Sequence, residues 1–490
     1  MPDNITFNSI PIDIRTPGQY IEIDNSKALR GLPNMNRRML FIGNKLATGS
    51  SAAGVLQRIN SAAESATLFG RGSVLHEMLR FAREANKTSD IWAIALDDLV
   101  AGVAGVQTIT VTVTAAQAGT ISLYVNGQKL SVGVSAGDAV ATIAAAIAAA
   151  INAWLDSPVT ASSAAGVVTV TARHKGQFTA DIDLRANYYS DEKLPVGVGL
   201  AFAEATAGTG NPDVAAALAA ISQEAFYDIV MPYNDASNVG KVEAELASRW
   251  GGMDMRAGHL FFGYDGTQGQ ITTYGSARNS PHSTFVGVKN PPQAPYIWAA
   301  VYAAVVEFSG ANDPALPFWT LALPGLLPPA QADQFTRLER DLNLRDGCST
   351  FTVDQSGNVL VETVVTTYQV NAYGLEDVSY LLLNTKWSTD YMRFAFRAAV
   401  AFNFPRHKLA DDGTNFAPGQ AVATPSTIKG VLLGTGRQLE LVGILEDFEQ
   451  FKKDLVVVRS LTDRNRVNAI LPPNVVNQFA VFAASVQFIL

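Results

Sequence analysis

From Asp213 the sequence alternates helix-like and buried-strand-like segments, and this order most constrains the fold. "PDVAAALAAISQEAF" is predicted as a helix, "YDIVMPY" as a strand, "NVGKVEAELASRW" as a helix and "GHLFFGYDG" as a strand. Parallel strands need crossover connections, so the order implies a mostly parallel sheet with helices on both faces. Residues 37–103 share the texture. "RRMLFIGN" and "DIWAIAL" read as buried strands, and between them Ser73 caps a helix with Leu75, Met78, Leu79 and Ala82 on one stripe. Further on, "APYIWAAVYAAVVEFSG" is apolar nearly all round and should be buried, whereas "DPALPFWTLALPGLLPP" is too proline-interrupted for one helix. "AQADQFTRLERDLNL" is an amphipathic helix and "STFTVDQSGNVLVETVVTTY" a hairpin.

Between these stretches the period changes. "VQTITVTVT" places Ile109, Val111 and Val113 on one face and threonines on the other. "ISLYVNGQKLSVGV" carries Asn126-Gly127, a two-residue hairpin signal. A helix after Asp138 aligns Val140, Ile143, Ile147 and Ile151, and "GVVTVTAR" resumes strand. Residues 104–207 are therefore expected to be a β-rich domain inserted into an α/β domain made of 26–103 and 208–384.

A third, α+β domain is expected over 385–478. "DYMRFAFRAAVAFNFPRHKL" is a helix ending near Pro405, and 411–427 is a polar loop. Gly434 and Gly436 in "LLGTGRQLEL" are read as a strand-loop pair, "LEDFEQFKKDL" as a short charged helix, and "VVVRS" and "DRNRVNAILPP" as strands. In the last stretch Ala480, Phe482, Ala484, Val486, Phe488 and Leu490 alternate with other residues, Ser485 and Gln487 among them, which is the period of a half-buried strand. At the other tip (1–25) Ile10, Ile12 and Ile14 alternate with Pro11, Asp13 and Arg15, and a second short strand covers Tyr20–Asp24. Pro11 cannot donate to a ladder, which marks an edge or added strand. Two strand-like tips without sequence-adjacent partners suggest β-augmentation between subunits, the alternative for the last strand being an ordinary C-terminal strand folded back onto its own domain.

The chemistry of the chain excludes more than it offers. A net charge of −8 with no dense basic run argues against nucleic acid. Cys348 is the single cysteine, so no disulfide framework or multi-cysteine zinc site is possible, and it reads as a core thiol. No secretory signal is evident, and Ala139 to Leu155 is too short and alanine-rich for a bilayer span, so a soluble protein assembled in a cytoplasm is expected, without membrane insertion. His76, His174, His259, His282 and His407 are scattered without metal-ligand spacing. There is no GxSxG, and neither "LLGTGRQLEL" nor "TAGTGNPD" completes a phosphate-binding glycine motif. No catalytic, cofactor or metal residues are therefore assigned. On "LEDFEQFKKDL", Glu446, Asp447, Glu449, Lys452 and Lys453 form either a solvated face or a docking face for a partner of opposite charge.

Several long stretches carry a family resemblance: "PGQYIEID", "GSARNSPHSTFVGVKNPPQAPYIWAAVYAA", "DPALPFWTLALPGLLPP" and "VVVRSLTDRNRVNAILPPNVVNQFAVFAASVQFIL". In these the chain resembles contractile tail sheath proteins of the phage Mu-like type. The resemblance implies an α/β and α+β multidomain protein. It would have a central subtilisin-like, non-catalytic α/β domain, an outward β-rich insertion, and an α+β C-terminal domain with strand-donating terminal arms. It implies a virion subunit that polymerises with itself around a tail tube protein, meets baseplate and tail terminator proteins, and contracts to drive the tube through a cell envelope. Ile10, Ile12 and Ile14, and Phe482, Val486, Phe488 and Leu490, become inter-subunit strands, and the charged helix a candidate tube-facing surface. A phage-tail-derived bacteriocin sheath, a hydrolase with a cryptic site, and an adhesive module built on 104–207 stay open as alternatives.

Overall fold

A computed structural model describes residues 15–21, 31–417 and 419–489. The chain divides into two compact units, residues 35–392 with 475–490, and residues 1–34 with 393–474. Among the described residues, no helix is long and apolar enough to cross a membrane.

The larger unit is built on an eight-stranded sheet. Its order is Val359–Thr363, Cys348–Val353, Ser283–Val288, His259–Asp265, Asp228–Val230, Arg38–Asn44, Asp90–Leu96 and Leu56–Ile59. The interior pairs are parallel and the two edge pairs antiparallel. Strands buried on both faces read as continuous apolar runs, as Met39–Ile42 do at 0% exposure. Helix Val74–Ala85 starts where Ser73 Oγ accepts the His76 amide, 3.2 Å, and buries Leu75, Met78, Leu79 and Ala82. Helix Pro295–Asn312 is buried along most of its length. Cys348 lies in the core, where burial pushes its thiol upward.

Two helices and a strand are shorter than the sequence suggests. "PDVAAALAAISQEAF" is helical only over Ala215–Ile221, because Ser222 leaves the helix at φ 28°. "YDIVMPY" pairs only over Asp228–Val230. "AQADQFTRLERDLNL" is helical from Arg337, where Thr336 and Glu339 close a reciprocal capping box.

Two small antiparallel sheets fill the segment between the isolated bridge Val103–Thr209. One has the order Leu200–Thr206, Val106–Val111, Val167–Ala172, Val159–Ala164, and the other Gln128–Val134, Gly119–Val125, Leu184–Ala186. Helix Val140–Ala153 lays Ile143, Ile147 and Ile151 into their common core, which is distinct from that of the α/β sheet. Val113 falls beyond its strand and is half exposed.

In the smaller unit, "LLGTGRQLEL" lies inside helix Pro425–Leu441, correcting the strand-loop expectation for Gly434 and Gly436. A Cβ on Gly436 would stand 2.6 Å from Phe451 Cε1, whereas Gly434 has open space. The helix thus carries a glycine where Phe451 crosses it closely. The helix expected from Asp390 begins earlier, as Leu383–Asn403.

Candidate assembly surfaces

Several large side chains of the last residues lie in the open. Phe482 is 79% exposed, Val486 90% and Phe488 80%, and Phe479, Val481 and Ile489 are exposed beside them. Among the described residues, 476–489 carry no ladder partner. Gln478 ties the root of this tail to the larger unit by donating from Nε2 to the Ala315 carbonyl, 3.3 Å. Soluble proteins rarely expose contiguous apolar side chains in this way. Leu490 lies outside the described residues, as do Ile10, Ile12 and Ile14. Of the expected strand Tyr20–Asp24, Tyr20 and Ile21 are described, without strand pairing.

A sheet edge suited to an added strand stands in the smaller unit. Val456–Arg459 and Val467–Ile470 form an antiparallel hairpin, with Val456 opposite Ile470 and Arg459 opposite Val467. Among the described residues no third strand pairs with either. Val456, Val458 and Ile470 are exposed, so backbone edge and apolar side chains are offered together. Hairpin strands were legible in the sequence; that no third strand joins them among the described residues was not, because it depends on where the rest of the chain runs.

The charged helix is shorter than expected, spanning Phe448–Asp454. Asp447 adopts the left-handed conformation (φ 54°) and caps the Gln450 amide, 3.1 Å. Glu446 therefore lies outside the helix, where it accepts from Asn474 Nδ2, 3.1 Å. Asp447, Glu449, Lys452 and Lys453 are all exposed, and Glu449 pairs with Lys452 at 3.3 Å. Phe451 is fully buried and stacks on Phe396 with centroids 5.6 Å apart. The face is polar and firmly seated.

One arrangement imitates a hydrolytic triad. Ser65 Oγ lies 2.8 Å from His76 Nδ1, and His76 Nε2 is 3.6 Å from Asp156. Ser65 is 0% exposed and its hydroxyl donates to the Ala62 carbonyl, 2.8 Å, so its proton is directed at backbone and no substrate can reach it. Burial lowers the His76 pKa, against the opposing pull of the Asp156 carboxylate. The other described histidines are likewise structural in their contacts: His174 Nδ1 meets Asp98 at 2.9 Å and His259 Nε2 meets Thr284 at 2.8 Å. His282 is buried in the turn just before strand Ser283–Val288, and His407 Nδ1 faces the Pro405 carbonyl. Among the described residues no group of histidine, cysteine or carboxylate ligands could hold a metal ion.

Comparison with known proteins assigns the chain. The family model for the phage tail sheath protein central domain matches residues 207–367, and that for the phage tail sheath C-terminal domain matches 376–489. The Mu-like prophage FluMu tail sheath protein of Haemophilus influenzae is 40% identical over 487 residues, covering 99% of this chain and 100% of the relative. Among solved structures, a sheath tail protein from Desulfitobacterium hafniense aligns at 14% identity and TM-score 0.48, covering 94% of this chain and 100% of that one. A sheath tail protein from Listeria innocua aligns at 13% identity and TM-score 0.49, covering 91% and 93%. With two family models spanning more than half of the sequence and a full-length relative at 40% identity, the chain belongs to the phage tail sheath protein family and is a structural subunit of a contractile tail sheath.

Proposed function

We propose that each copy is woven to its neighbours by its own tips. The segment Phe479–Leu490 adds as a strand to the hairpin Val456–Arg459/Val467–Ile470 of a second copy, and the Ile10–Ile14 arm adds to another. The observation that carries this reading is the tail's exposure, with Phe482, Val486 and Phe488 each at least 79% open to water. Each large side chain buried on donation contributes roughly 1.5–3 kcal/mol, and each ladder hydrogen bond about 0.5–1.5 kcal/mol. Ordering the segment costs about 1–2 kcal/mol per residue, a cost of the same size as these gains, so a single joint is marginal and the polymer relies on many joints acting together.

A joint made of chain rather than of packed surfaces lets subunit bodies turn while connectivity persists. The sheath then shortens around a tail tube protein and drives it through a target envelope, the work coming from subunit contacts rather than from catalysis. The burial of Ser65 supports a non-enzymatic role. The charged helix face (Asp447, Glu449, Lys452, Lys453) with the neighbouring Glu446 is the proposed tube-facing surface. The sheath ends meet baseplate and terminator proteins, and the whole belongs to a virion assembled in the host cytoplasm. The central domain would correspond to the subtilisin-like, non-catalytic core of the family, with 104–207 outward.

Deleting Phe479–Leu490 tests this. Size-exclusion chromatography with negative-stain microscopy should show a folded chain that no longer forms sleeves. Sleeves built by the truncated chain would overturn the proposal.

A further inference from the structure

The tight hairpin turn of the β-rich segment is driven into the α/β body. Asn126 and Gly127 take left-handed backbone (φ 50° and 81°), the geometry of a two-residue turn, yet Asn126 is only 2% exposed. Its Oδ1 accepts the Ala294 amide at 2.7 Å, at the start of helix Pro295–Asn312. Its Nδ2 donates to Glu77 Oε1 at 3.1 Å and to the Tyr296 hydroxyl at 3.0 Å. Tyr296 in turn donates to Glu77 Oε2, 2.8 Å. Gly127 sits so close that a Cβ would lie 2.3 Å from Gln293 Cγ, and Gln293 is itself fixed by the Gly325 carbonyl and the Leu327 amide.

We propose that Glu77, Asn126 and Tyr296 form a proton-linked latch that fixes the β-rich segment on the α/β body. Glu77 is buried at the meeting of three elements, two from the α/β body and one from the inserted segment. Burial is the main influence on it, opposed by the Arg80 guanidinium on its own helix and by the Tyr296 and Asn126 hydrogen bonds, and reinforced by the Asp156 carboxylate of the inserted segment. Asp181, from the same segment, faces Tyr296. With burial dominant, the Glu77 pKa is raised from 4.5 to about 7. The docked state therefore holds a proton that an undocked, hydrated Glu77 releases. A raised carboxyl pKa gives stability that is complete below about 4.5 and is lost as pH rises to about 7, with little further change above.

Amide hydrogen exchange on the full chain tests the latch, comparing hairpin Gly119–Val134 with core strand His259–Asp265 at a series of pH values. After correction for intrinsic exchange, wild-type hairpin protection should fall by up to about tenfold per pH unit between pH 5 and 7, the response of one proton. Glu77→Gln, which mimics the protonated acid, should give a shallower profile, the residual slope coming from the buried Asp181 of the same segment, which burial also raises to about 7. Asn126→Gly keeps the left-handed turn but deletes the amide, and should lower hairpin protection at every pH while leaving the core strand unchanged. A Glu77→Gln profile as steep as wild type, or hairpin protection unaltered by Asn126→Gly, would overturn the latch.

Discussion

Replacing Phe482, Val486 and Phe488 together by alanine separates assembly from folding. All three side chains are at least 79% exposed in the single chain, so their truncation removes almost no burial from the monomer. Surface changes of this kind lie within about 0.5 kcal/mol, so the thermal midpoint should stay in place. In a donated strand the same side chains would be buried. Taking about 2 kcal/mol for each phenylalanine and about 1 kcal/mol for the valine truncation, each joint loses about 5 kcal/mol. That is more than a thousandfold in its equilibrium constant, since about 1.4 kcal/mol is a factor of ten. Differential scanning calorimetry and sedimentation velocity read the two quantities on one preparation. An unchanged midpoint with the polymer boundary lost is the expected result. A lowered midpoint would show that the tail packs on its own molecule, and an unchanged polymer boundary would show that these side chains are not in the joint.

The glycines of helix Pro425–Leu441 make a paired test. Gly436→Ala places a methyl against buried Phe451 and should cost about 1–2 kcal/mol net, overpacking outweighing the gain in helix propensity. Gly434→Ala meets nothing within 4 Å and should stabilise by up to about 1 kcal/mol, both read by urea denaturation. In the larger unit, Lys386 and Asp390 are fully buried and paired at 2.9 Å, with Lys386 also donating to the Gly258 carbonyl. Lys386→Ala should cost about 3–5 kcal/mol in the same assay, because a buried carboxylate loses its cation.

Local chemistry was legible where neighbours in sequence settle it. Asn126-Gly127 announces its turn, Ser73 its helix start, and the apolar runs at Met39 and Ile91 their place inside a parallel sheet. Long-range partners were not legible. Gly436 looks like a helix breaker until Phe451, fifteen positions on, is seen crossing it. Glu446 reads as part of a charged helix, but the left-handed Asp447 sets it outside. The deep burial of Asn126 depends on Glu77 and Tyr296, 49 and 170 positions away, and no periodicity carries that information. The tail's alternation reports a strand's capacity to pair; it does not carry the identity of the partner.

A density map of the assembled polymer, at a resolution that traces backbone, tests the woven joint most directly. Strand donation predicts continuous main chain leaving each body near Gln478 and entering the sheet edge at Val456–Arg459 or Val467–Ile470 of a different copy. Tails that end on their own subunit, with that hairpin left two-stranded, would contradict it.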